Sequence, residues 1–67
     1  MFKFFLVDEH SDVQDPTSFL TAVPNWTVGE TLLLGNGRRF RIVEIRTDLL
    51  PEMLAAGFNG VFVVEPA

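Results

Sequence analysis

Thr31-Leu32-Leu33-Leu34-Gly35-Asn36-Gly37-Arg38-Arg39-Phe40-Arg41-Ile42-Val43-Glu44-Ile45 carries more information about the fold than any other stretch of this 67-residue chain. One apolar run leads into Gly35-Asn36-Gly37 and a second leads out. Asn and Gly tolerate the positive φ of tight turns between paired strands, so Asn36-Gly37 predicts an antiparallel hairpin. Along its second arm Phe40 and Ile42 alternate with Arg39 and Arg41, giving one apolar and one cationic face. Ile45 falls out of that period. One extra residue near Val43 restores it, so a β-bulge is expected there, and a bulge bends a strand as a small closing barrel requires.

Working outward, Phe2-Lys3-Phe4-Phe5-Leu6-Val7 reads as a strand with two apolar faces, and so does Val61-Phe62-Val63-Val64, which follows a Phe58-Asn59-Gly60 turn and stops at Glu65-Pro66. A strand apolar on both faces lies centrally, or has one face covered by a helix or a second chain. Between these parts Asp48 is placed to cap a short helix over Leu49 to Ala56, with Pro51 in its first turn, Glu52 near its positive end and Gly57 as its stop. Leu49, Leu50, Met53 and Leu54 would form its apolar stripe. Residues 9–18 read as a loop, because Pro16 and the density of Asp and Ser disfavour regular structure. Phe19, Leu20, Ala22 and Val23 are expected to form a brief edge strand or a segment folded back over the barrel mouth. The expectation is a mainly β protein: a small, partly open barrel of about five strands with one short helix before the last, in a single domain over residues 1–67.

The order of strand, long loop, Trp26-x-x-Gly29-Glu30 turn, tight hairpin, helical insert and last strand resembles the small SH3-like β-barrels. In those folds an apolar residue followed by Gly-Glu or Gly-Asp often opens the second main strand. The chain is also similar to short uncharacterised bacterial proteins, of a kind common in actinobacteria, in its Val23-Pro24-Asn25-Trp26 and Val63-Val64-Glu65-Pro66 segments. The resemblance implies a fold and carries no activity.

Composition sets the other limits. Residues are 48% hydrophobic and 21% charged, too apolar for a disordered acidic tail. The absence of cysteine removes disulfides, thiolate metal sites and a Cys nucleophile. A domain this small typically buries only about 60% of the surface its unfolded chain exposes, so a surplus of apolar surface is expected. The Met1 to Val7 run is too short for a secretory signal and is followed by Asp8-Glu9 without a small-residue exit, so a soluble cytoplasmic protein with no membrane contact is expected. The net charge of −4 is segregated, with Asp8, Glu9, Asp12 and Asp15 in one loop and Arg38, Arg39, Arg41 and Arg46 in or beside the hairpin. Such charges are either solvated loops, loosely paired, or two poles that steer a partner.

Catalytic inventory is thin. His10 is the one side chain suited to general base work near neutrality, and Ser11 and Ser18 share its loop without a glycine-rich elbow to expose a nucleophile. Asp8, His10 and Asp12 have the ligand types for a divalent cation, but not a diagnostic spacing, and no cofactor or metal is expected. Arg38-Arg39-Phe40-Arg41 invites a nucleic-acid reading, yet Phe40 alternates away from Arg39 and Arg41 toward the core, and a pI near 4.6 opposes phosphate binding. Trp26 is read as a core or rim-closing residue ahead of a partner anchor. The expectation is therefore a non-catalytic protein-interaction module, bound to a protein or to a second copy of itself. Phe5, Trp26, Leu50 and Met53 would supply contact area while Arg39 and Arg41 orient the partner. A nucleic-acid-binding barrel using Arg38 to Arg41 is the alternative.

Overall fold

The structure, a computed structural model, describes residues 1–67. Five strands and one helix follow in the order β1 (Phe2–Val7), β2 (Val13–Thr21), β3 (Thr31–Leu33), β4 (Arg39–Arg46), α1 (Pro51–Ala55) and β5 (Gly60–Pro66). They make one mixed sheet in the spatial order β2-β1-β5-β4-β3, curled into a half-barrel. The β1–β5 pair is parallel and the other three are antiparallel. This is the mainly β, partly open barrel with a helix before the last strand that the sequence predicts. No helix is long and apolar enough to cross a membrane.

The hairpin forms with a turn one residue longer than Asn-Gly alone implies. Leu34 N–H donates to the Arg38 carbonyl at 2.9 Å and Gly37 N–H to the Leu34 carbonyl at 3.0 Å. Gly37 has φ +85°, while Asn36 stays at negative φ and accepts the Arg38 N–H on its Oδ1. This is a three-residue loop ending in a bulged left-handed glycine. The bulge in β4 falls where the period breaks: Ile42 opposes Val64, the next pair is Glu44 with Val63, and Val43 is the extra residue. Phe40, Ile42 and Ile45 consequently all join the inner core, while Val43 turns to the outer face.

Two apolar layers result. Inside the curl Phe4, Leu6, Leu32, Leu34, Phe40, Ile42, Phe62 and Val64 are buried together. On the outer face Val7, Val61 and Val63 are buried beneath Leu49 and Met53, with Phe5 and Val43 at their margin. β5 is thus central, as its two apolar faces require, and its second face is covered by the chain's own helical segment.

Two elements differ from expectation. The segment expected to be loop contains the edge strand β2, which begins at Val13. An edge strand bonds on one side only, so Pro16 and the polar residues of β2 are tolerated where a central strand would reject them. The helix is also shorter than Leu49 to Ala56, and Asp48 does not cap it. Leu50 is the N-cap, extended at φ −66° and ψ 150°, and no side chain caps the helix. A residue preceding proline is pushed out of the helical region, so Pro51 fixes the start. Gly57, at φ +87°, ends it as expected.

Candidate functional site

The residues expected to form one contact face fall into three places. Phe5, Leu50 and Met53 meet in an outer groove of about 410 Å³, completed mainly by Val7, Leu49 and Val61. Leu50 is largely exposed there and Met53 half-buried over the outer valines. Trp26 lies on the other side, packed against the inner core. Its indole N–H donates to the Val23 carbonyl at 2.8 Å, and its ring meets Phe19 and Phe62 edge-on at 5.3 and 6.3 Å. Of the two expectations for Phe19 to Val23, the edge strand holds as far as Thr21, where β2 ends, and Trp26 follows in the connection to β3. Arg39 and Arg41 stand on the outer face of β4, apart from both groups.

The basic cluster does not act as one patch. Arg41 pairs with Glu65 across β4 and β5 at 3.0 Å, and Arg46 pairs with Glu44 on its own strand. Arg38 lies over the Phe40 ring at 4.7 Å and donates to the Asp15 carbonyl at 2.6 Å. Arg39 makes neither an ion pair nor a side-chain hydrogen bond. Phe40 is 1% exposed, so this hairpin offers no aromatic face for a base to stack on.

In the acidic turn, Asp8 Oδ1 accepts the N–H groups of His10 at 2.8 Å and Asp12 at 3.0 Å. Asp8 N–H donates to the Asp12 carbonyl, and Ser11 takes φ 65° to close the turn. The carboxylate organises the backbone, and no group of three or more His, Asp or Glu side chains is gathered as a metal would require.

The feature that sequence reasoning missed is the seam of the half-barrel. β2 and β3 are the two edges of the sheet, and both line one groove of about 470 Å³, with Pro16, Ser18, Phe19 and Leu20 on one wall and Leu33, Leu34 and Gly35 on the other. Every Cα of β2 is more than 8 Å from every Cα of β3. Paired strands lie roughly 4.8 Å apart, so these are unpaired, and about 9.6 Å would admit one further strand. At one end Arg38 reaches across to the Asp15 carbonyl, which bounds the gap there by the length of an arginine.

The backbone groups facing this seam follow from the bonds of their neighbours. Lys3 spends both its N–H and its carbonyl on Asn59, on the β5 side of β1. Alternation turns Phe4 toward its β2 partner Phe19, and leaves the N–H and C=O of Ser18 and Leu20 pointing into the seam. On β3, Glu30 C=O and Leu34 N–H bond toward β4, leaving the corresponding groups of Thr31 and Leu33 on the seam. The signals in the sequence were Pro16 and the shortness of the Thr31 to Leu33 run, both marks of edge strands. No known protein family, curated protein or solved structure matches this chain.

Proposed function

We propose that this chain is a non-catalytic protein-interaction module of the cytoplasm, and that its binding face is the seam between β2 and β3. The observation that carries this reading is a pair of unpaired edges, more than 8 Å apart, that line one groove above an apolar floor of Phe19 and Leu34. Exposed edges with free N–H and C=O groups are templates for an added strand. Leu20 and Leu33, 57% and 64% exposed, flank the seam and add apolar contact area. The outer groove at Phe5, Leu50 and Met53 is the more apolar of the two, but its lining includes no residue of either edge strand, so it offers no unpaired backbone to a partner.

The test is Leu33→Pro, which removes an N–H that faces the seam and none that bonds β4. Affinity recovery from a lysate of the source organism is compared for the wild type and this variant, with circular dichroism confirming that both fold. A protein captured by the wild type and lost with the variant supports the reading. Equal recovery by both, or no specific recovery by either, overturns it.

A further inference from the structure

We infer that the occupant of the seam is an extended segment of a different protein, apolar on one face and carrying a carboxylate on the other, which enters as a sixth strand. This rests on the seam being the binding face. β2 and β3 run in opposite directions, since β3 is antiparallel to β4, β4 to β5, and β2 to β1, while β1 and β5 are parallel. An inserted strand therefore makes an antiparallel ladder with one wall and a parallel ladder with the other, whichever way it enters. Ser18 and Leu20 on one side and Thr31 and Leu33 on the other supply its backbone partners.

Side-chain chemistry follows from the two faces of the sheet. Inward positions of the inserted strand meet Phe19 and Leu34 beside the buried core, where an ionised group would lose its hydration without a partner. Outward positions lie between the exposed Leu20 and Leu33. One strand farther out on that face are Lys3, opposite Leu20, and Arg39, opposite Leu33. The Lys3 ammonium is already held by the Ala56 carbonyl at 2.7 Å and the Phe58 ring at 4.3 Å. Arg39 is the uncommitted cation, and a carboxylate on the outer face of the occupant answers it. The one acidic residue lining the seam, Asp15, sits at the end that Arg38 spans. A second copy of the chain is a poor occupant. Its β2 edge carries Pro16, which has no N–H, and its β3 is three residues long.

The experiment titrates the full chain with capped heptapeptides having valine at positions one, three, five and seven, threonine at two and six, and glutamate or lysine at four. Binding is followed by NMR, with amide hydrogen exchange on the same samples. The expected result is slowed exchange at Ser18, Leu20, Thr31 and Leu33, with the glutamate peptide binding about fivefold tighter than the lysine peptide, a preference lost in Arg39→Ala. Equal binding of the two peptides, protection elsewhere, or self-association protecting the same amides overturns the inference. If neither peptide binds while a captured protein is lost with Leu33→Pro, the occupant's chemistry is wrong and the seam remains the binding face. If capture survives Leu33→Pro, both readings fall.

Discussion

Phe4 lies flat on Phe62 across the one parallel strand pair, with ring centroids 4.2 Å apart and planes 12° from parallel. The stack is closed at its edge by Gly60, which opposes Phe4 in the register. A Cβ at residue 60 would stand 3.2 Å from both the Phe4 ring and the Arg46 carbonyl oxygen. The ring could shift, but the carbonyl belongs to the ladder of β4.

Gly60→Ala is therefore expected to destabilise the fold by about 1–3 kcal/mol, the usual range for overpacking a filled core. Urea denaturation measures it. Gly35→Ala is the internal control, since nothing lies within 4 Å of a Cβ there and the residue does not need positive φ. A loss no larger at residue 60 than at residue 35 would show that the sheet accommodates the methyl group.

Trp26 packs against the inner core and is anchored by the Val23 carbonyl. Trp26→Phe keeps an aromatic ring against Phe19 and Phe62 but loses the indole hydrogen bond and part of the buried ring. The expected cost is about 1–2 kcal/mol, combining a hydrogen bond with the lost area. Trp26→Ala should cost about 3–5 kcal/mol if the ring behaves as a core aromatic, enough to endanger so small a domain. Thermal melts followed by circular dichroism separate the two, and equal midpoints for wild type and Trp26→Ala would place the ring outside the core.

Asp8→Ala removes the acceptor for two backbone N–H groups in the turn that leads into β2. A loss of about 1–2 kcal/mol is expected, by analogy with capping side chains that satisfy free amides. Asp8→Asn should recover part of it. EDTA or added zinc should leave the wild-type thermal midpoint unchanged, and a shift with either would show that the turn holds a cation.

The Arg41–Glu65 pair joins β4 to β5 with both side chains well exposed to solvent. A double-mutant cycle with Arg41→Ala and Glu65→Ala is expected to yield a coupling below about 1 kcal/mol that shrinks further in salt. A larger, salt-insensitive coupling would mean that this pair helps set the register of the two strands.

The hairpin and its bulge are legible because both rest on short-range rules. Gly37 supplies positive φ, and the displaced Ile45 reports an extra residue without knowledge of what the strand faces. The central place of β5 is legible from apolar residues on both its faces. β2 is not, because its half-buried positions include Gln14, Pro16 and Ser18, so its alternation of exposure does not show as an alternation of apolar residues. Asp48 does not mark the start of the helix, because the effect of Pro51 on Leu50 outweighs its capping potential. The candidate contact residues follow from residue type and local patterning, and neither says that Phe5 and Met53 share a groove while Trp26 packs across the sheet from them.

Local chemistry in this chain thus suffices for its turns, its bulge and the identity of its core strands, since each depends on a few neighbouring residues. Pairing β1 in parallel with β5 and leaving β2 and β3 more than 8 Å apart came only with the assembled sheet. Whether a curled sheet closes depends on strand number, tilt and stagger taken together, and no single segment of sequence contains that sum.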